Sequence, residues 1–245
     1  MSLCTIQFFA QEIQKMSQMT VVLPEQGNGP FPVFYLLHGL SDDNTAWSRR
    51  TNIERYVAQL PLIVVMPDGG RGFYCDALEG PAYEKCMIKD VVGLVDRVFP
   101  TIRARSGRVI GGLSMGGYGA MKLAYRFPDM FCSAVSHSGA LNATRVKRDG
   151  GLQPELARIF GPTPAGGKDD LFTLAETIDR KLLPATRFDC GRDDFLIEEN
   201  RAFDRHLSAL GIAHEYEEFP GSHEWGYWDV HVQEALAFHR KALGI

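Results

Sequence analysis

The chain has 245 residues, 45% of them hydrophobic and 23% charged, the balance of a globular protein long enough for one large core. Twenty-six basic against thirty acidic side chains give a net charge of −4 with no Lys/Arg block, which argues against nucleic acid or an anionic membrane as partner. Five scattered cysteines (Cys4, Cys75, Cys86, Cys132, Cys190) lack metal-type or redox-type spacing and read as free thiols in a reducing compartment. No stretch has the apolar length of a bilayer span and no signal-peptide pattern opens the chain, so a cytoplasmic protein is expected; a secreted form trimmed of its leader would look the same.

Taken in chain order, Thr5 to Phe9 and Met19 to Leu23 predict two strands paired as a hairpin at a sheet edge. Pro24 to Pro32, rich in Gly and Pro, is a loop. Val33 to Leu37 and Leu62 to Met66 are continuous apolar runs, the pattern of strands buried on both faces. From Tyr83 to Phe99 the apolar positions Tyr83, Met87, Val91, Leu94, Val95 and Val98 recur at helical spacing. Val109 to Leu113, Cys132 to Ser136 and Ala185 to Cys190 supply three more strands. A further strand begins at His214, expected to face solvent, and helices are expected at about Leu196 to Leu210 and Trp228 to Leu243. Asn142 to Leu183 is one long irregular stretch broken by Gly150-Gly151, Gly161-Pro162 and Gly166-Gly167, expected as a small cap over the substrate pocket. Strands alternating with helices predict an α/β fold in one domain, residues 1–245, with a mostly parallel sheet covered on both faces.

Between the strand ending at Leu113 and the helix opening at Gly117 lies Gly112-Leu113-Ser114-Met115-Gly116. A G-x-S-x-G turn from strand to helix is the nucleophile elbow of the α/β-hydrolases, and its glycines leave room for a strained backbone that presents Oγ. A serine hydroxyl needs a base, and the base an orienting acid. In this fold they follow the serine in the order acid, then histidine. His206, His231 and His239 fall inside predicted helices, whereas His223 sits in Pro220-Gly221-Ser222-His223-Glu224-Trp225, a loop between the last strand and the last helix. Loops at the carboxyl ends of strands gather catalytic groups, so His223 is the candidate base. Cys190-Gly191-Arg192-Asp193-Asp194 follows the preceding strand and offers two acids, either of which could instead be a helix cap. The oxyanion requires backbone N–H donors: Met115, after the serine, and Leu40, in His38-Gly39-Leu40-Ser41 behind an early strand. His38 itself reads as structural.

Trp47, Tyr74 and Trp225, with Phe73 and Trp228, lie near these loops and are candidate lining of a substrate pocket. Cys75 reads as buried filler, and Ser136 and Ser138 as structural neighbours of His137. No ligand cluster with metal spacing is present, so neither a metal nor another cofactor is expected.

Six motifs occur in order: HGLSDDNTAW from His38, MPDGGRGFYCD from Met66, GGLSMGGYGAMKLAYRFPDMF from Gly111, SHSGAL from Ser136, CGRDDFL from Cys190 and FPGSHEWGYWD from Phe219. Together they resemble the esterase D-like branch of the α/β-hydrolases: S-formylglutathione hydrolases, tributyrin and other short-chain acyl esterases, feruloyl and acetyl-xylan esterases, and mycolyltransferases. The resemblance covers roughly Val33 to Trp228 and is weakest from Asn142 to Leu183. It implies Ser114 as nucleophile, Asp194 rather than Asp193 as acid, His223 as base, and Leu40 and Met115 as oxyanion donors. The chain departs from the formylglutathione enzymes in being shorter and in having Tyr118 where they carry histidine after SMGG, and it lacks the extended cap of feruloyl esterases. The reading that follows is a serine carboxylesterase acting on small-molecule, short-chain acyl esters through an acyl-enzyme. The alternatives are an S-formylglutathione-type thioesterase, an acetyl or feruloyl esterase on carbohydrate esters, and a hydrolase-like protein that only binds its ligand.

Overall fold

A computed structural model describes residues 2–145 and 152–245; Gly150 and Gly151, expected as breaks in the insert, lie outside the described residues. One eight-stranded sheet organises the chain: β1 (Ser2–Ala10), β2 (Lys15–Leu23), β3 (Val33–Leu37), β4 (Ile63–Pro67), β5 (Arg108–Leu113), β6 (Ser133–His137), β7 (Ala185–Gly191) and β8 (Glu215–Phe219). Their order is β1-β2-β4-β3-β5-β6-β7-β8. The β1–β2 hairpin is antiparallel and lies at one edge, β2 pairs antiparallel with β4, and every pairing from β4 to β8 is parallel. The mostly parallel sheet read from the sequence is thus the observed one.

The apolar runs explain its centre. All five residues of β3 are buried, with Val33, Tyr35 and Leu37 feeding one core and Phe34 and Leu36 the other. Side chains alternate across a strand, so only a run without polar breaks fits between two covered faces. Short helices α1 (Ala46–Arg50) and α2 (Ile53–Tyr56) cover one face together with α9 (Trp225–Leu243). The other face holds α3 (Tyr83–Lys85) and α4 (Val92–Val98), α5 (Met115–Arg126), α6 (Leu152–Phe160), α7 (Leu171–Thr177) and α8 (Ile197–Ala209).

Three sequence expectations need correction. The helical stretch after Tyr83 is not uniform: a π-helical turn, Cys86–Val91, joins α3 to α4 and widens the winding where the apolar period still looks helical. The insert is less irregular than its glycines suggest. It carries α6, which buries Leu156 and Ile159, and α7, whose N-cap Asp170 accepts the Phe172 N–H. His214 does not face solvent; it stacks on Phe188 at 5.6 Å and bonds Asp204 at 2.9 Å. Among the described residues, no helix is long and apolar enough to cross a membrane.

Candidate active site

The turn between β5 and α5 holds Ser114 at φ 53° and ψ −116°, a conformation L-residues avoid. Packing enforces it. A Cβ on Gly112 would lie 2.7 Å from the Leu37 and Gly116 carbonyl oxygens, and one on Gly116 would lie 2.5 Å from the Leu37 oxygen and 2.6 Å from that of His38. The start of α5 therefore presses against the end of β3, which only glycine on both sides of the serine permits. The turn is pinned on its other side, where the Ser114 N–H donates to the His137 carbonyl at 2.9 Å.

Two adjacent strand-end loops deliver the partners. Behind β7, the Asp194 N–H donates to Gly191 O at 3.1 Å, folding the loop so that the carboxylate is fully buried. Behind β8, Gly221 sits against Gly191, where a Cβ would come 2.3 Å from the Gly221 oxygen, and the Asp193 N–H donates to that oxygen at 3.0 Å. That contact brings His223 over Asp194. The imidazole Nδ1 lies 2.8 Å from Asp194 Oδ2 and 3.0 Å from Oδ1, and Nε2 lies 3.0 Å from Ser114 Oγ. A buried carboxylate can only accept from Nδ1–H, so Nε2 is left with its lone pair toward the serine hydroxyl, which donates to it. Oδ1 also accepts the Leu196 N–H at 2.8 Å. Asp193 is exposed and its side chain stays outside this cluster.

Leu40 follows β3 and Met115 opens α5. Among the described residues, neither N–H has an acceptor in the protein. Free N–H groups at a helix start and in an adjoining turn suit a developing negative charge. His38 is buried, and both of its ring nitrogens bond main-chain atoms. Its Nε2 accepts the Gly69 N–H at 2.9 Å, so its Nδ1 carries the proton and donates to Gly39 O at 2.7 Å. That carbonyl belongs to the same planar peptide as the Leu40 N–H, so the ring fixes the direction in which the N–H points.

A cleft of about 630 Å³ opens over Ser114, with Leu40, Asp42, Arg50, Phe195, Trp225 and Trp228 on its walls. Of the candidate lining residues, Trp225 is there but Trp47 and Tyr74 are not. Trp47 is fully buried, donates its indole N–H to Leu37 O at 3.0 Å and packs edge-on against Trp225. Tyr74 is fully buried and donates its hydroxyl to His38 O at 3.1 Å, while Phe73 packs on Tyr118 and Phe160. Both corrections have one cause: each ring fills the space beneath a motif loop, where it holds the backbone that faces the cleft. Phe195 was not foreseen. It is 72% exposed, and its ring sits 4.4 Å from that of His223. An apolar residue directly after the acid, in a turn too short to bury it, was the available signal.

Cys75 is buried, its thiol pushed up to about 12 by burial, and Ser136 and Ser138 are buried behind the turn. Tyr118 is buried as well and donates to the Asp169 carbonyl. Arg71 makes a two-pronged pair with Glu155 of α6, at 2.8 and 2.7 Å, and reaches Leu40 O at 3.4 Å, so the insert is tied to the loop beside the cleft. Among the described residues, no group of three or more His, Cys, Asp or Glu side chains could hold a metal ion.

Comparison with known proteins identifies the family. Residues 10–239 match the family described as "Putative esterase". An acetyl esterase of Caldicellulosiruptor saccharolyticus is 26% identical over 98% of this chain and 99% of its own. Two esterases of Mycobacterium tuberculosis are 31% identical over 84% of this chain, which spans only 52% of their length. Among solved structures, the fluorophosphonate-binding serine hydrolase FphF of Staphylococcus aureus superposes with a TM-score of 0.87 at 29% identity, covering 97% of this chain and 98% of its own. The S-formylglutathione hydrolase FrmB of the same organism gives 0.85 at 29%, with the same coverage. By this match over nearly its whole length and by its α/β-hydrolase sheet, the chain belongs to the "Putative esterase" family and is a serine esterase.

Proposed function

We propose that the protein hydrolyses short-chain carboxylic esters through an acyl-enzyme, with Ser114 as nucleophile, His223 as base and Asp194 as the acid that orients it. The carrying observation is the relay Asp194–His223–Ser114, with contacts of 2.8 and 3.0 Å. His223 Nε2 takes the Oγ proton as Oγ bonds to the ester carbonyl carbon, and the carbonyl π electrons move to oxygen. The Leu40 and Met115 N–H groups receive that oxyanion. The intermediate collapses, the C–O bond to the alcohol breaks, and the imidazolium returns its proton to the leaving oxygen. Water then repeats the sequence on the acyl-serine and releases the acid.

The small insert and the likeness to an acetyl esterase support a short acyl group. On this reading residues 1–245 form one domain with 142–183 as its cap, a view favoured by the single sheet and by the Arg71–Glu155 tie. The five free cysteines favour a cytoplasmic location. A Ser114→Ala variant should lose both turnover of p-nitrophenyl acetate and labelling by a fluorophosphonate probe while remaining folded. Labelling that persists refutes the nucleophile assignment. Acetyl and butyryl esters should show the highest kcat/KM, and a preference for palmitoyl esters would refute the short pocket. The likeness to FrmB favours thioester hydrolysis as the second reading. It replaces the first if formylglutathione exceeds every simple ester by several orders of magnitude.

A further inference from the structure

From Tyr227, whose ring packs on the loop carrying His223, a buried chain of hydrogen bonds runs to the turn carrying Ser114, through side chains that do not line the cleft. It starts at Tyr227, in the first turn of α9. The Tyr227 ring lies against Gly221, where a Cβ would come 2.7 Å from its Cδ2, and Gly221 precedes His223 by two residues. The Tyr227 hydroxyl donates to Asp189 Oδ1 at 2.9 Å. Asp189, in β7, meets His137 Nδ1 with its other oxygen at 2.8 Å, and its backbone carbonyl accepts the Ser138 N–H at 2.8 Å. His137 ends β6, and its carbonyl accepts the Ser114 N–H at 2.9 Å. Asp189 is fully buried, His137 1% and Tyr227 5% exposed.

Stability alone gives poor grounds for such a trio. Well-packed apolar side chains of similar volume usually hold a core at least as well as a buried ionisable pair, which must be desolvated. What directional hydrogen bonds add is a fixed separation, because each holds its partners within a few tenths of an ångström, whereas apolar contacts let them slide. Here those bonds tie the nucleophile turn to the Tyr227 ring, and the base loop rests on that ring at Gly221, where there is no side chain to spare.

We propose that Tyr227, Asp189 and His137 are positioning residues that set the distance between the His223 loop and the Ser114 turn. The proposal rests on Ser114 and His223 acting as nucleophile and base. Tyr227→Phe keeps the ring against Gly221 and removes only the hydroxyl. In the full chain, kcat for p-nitrophenyl acetate and the rate of fluorophosphonate labelling should both fall about 10- to 100-fold, the size expected of a misplaced reacting group. KM should stay within about twofold, since the cleft walls are untouched. Asp189→Asn is the conservative control: its oxygen still accepts from Tyr227 and its amide donates to His137 in the other tautomer, so kcat should stay within about threefold. A Tyr227→Phe protein with lower Tm but kcat and labelling rate within about twofold of wild type overturns the proposal. An Asp189→Asn loss as large as that of Tyr227→Phe does so too, because charge rather than spacing would then be acting. Should Tyr227→Phe fail to fold, Gly221→Ala presses on the same joint from the loop side. Loss of kcat at unchanged KM supports the chain, and retained kcat overturns it. Ser114→Ala keeps the two ideas apart: labelling that survives there refutes the nucleophile, whereas undiminished labelling in Tyr227→Phe refutes only the chain.

Discussion

Replacing Asp194 by asparagine changes one atom, and the surrounding hydrogen bonds dictate what that atom does. Oδ1 accepts the Leu196 N–H at 2.8 Å, so the asparagine must keep its oxygen there. Its amide nitrogen then occupies the Oδ2 position, 2.8 Å from His223 Nδ1. A donor now faces a donor at the nearer contact; the remaining oxygen, 3.0 Å from Nδ1, already accepts the Leu196 N–H, so the amide N–H favours the imidazole with its proton on Nε2. That nitrogen faces Ser114 Oγ at 3.0 Å and can no longer take the hydroxyl proton. The same tautomer inversion in the trypsin-like case lowers kcat roughly 10⁴-fold, a barrier increase of about 5.4 kcal/mol at 1.36 kcal/mol per decade. Asp194→Asn should therefore lose about three to four decades of kcat on p-nitrophenyl acetate with KM nearly unchanged. Asp193→Asn is the control: its side chain is exposed, so it should stay within about tenfold of wild type. Steady-state kinetics of both variants, with circular dichroism to establish folding, decide the matter. An Asp194→Asn enzyme within tenfold of wild type, or a larger loss at Asp193, would refute this assignment of the acid.

Other perturbations test the surroundings. Gly116→Ala places a methyl 2.5 Å from one backbone oxygen and 2.6 Å from another, neither of which can rotate away, so thermal unfolding should show a loss of at least about 2–3 kcal/mol; an unchanged Tm would mean the elbow is not packed this tightly. His38→Phe removes the donor to Gly39 O and with it the hold on the Leu40 peptide; kcat should fall roughly 10- to 100-fold in a protein that still unfolds cooperatively, and full activity would remove the orienting role. Burial holds His239 well below its ordinary value, at about 3, so between about 6.5 and 3 the unfolded chain binds a proton that the folded chain refuses. Its contribution therefore costs stability as pH falls through that window, by up to about 1.4 kcal/mol per unit, and denaturant titrations of His239→Phe should show a shallower acid slope than wild type. Equal slopes would place the titration elsewhere.

Much of the fold was legible because burial on both faces of a parallel sheet leaves strands with no polar positions, as in Val33 to Leu37 and Leu62 to Met66. The turn at Ser114 was legible for a different reason. Its glycines answer to main-chain atoms of β3 that a Cβ would strike, and a backbone clash can be relieved by one residue type only. Elements specified by softer rules were read less well. The π turn from Cys86 to Val91 changes the winding by a fraction of a residue per turn, too little to disturb an apolar period over so short a helix. In the insert, Gly161, Pro162, Gly166 and Gly167 masked α6 and α7, because these four residues lie between the helices rather than within them.

The lining of the cleft shows where sequence reasoning runs out. Trp47, Tyr74 and Trp225 all sit within or beside motif loops, and nothing in their spacing separates a ring that faces substrate from one that supports the loop. What separates them is polar chemistry at the ring's far end. Buried Tyr and Trp usually find an acceptor, and both Trp47 and Tyr74 have one in the main chain around His38: Leu37 O and His38 O. Those two carbonyls are the same ones that Gly116 approaches most closely. A single short segment, Leu37 to Leu40, therefore receives the indole, the phenol, the helix carrying Ser114 and, through Gly39 O, the His38 ring. Trp47 and Tyr74, fully buried, bond the two peptides that lead into the one carrying the Leu40 N–H, and so lie beneath the segment rather than in the cleft. Trp225 is free to face the cleft because its ring packs on Trp47 and Trp228, a contact that leaves one side open.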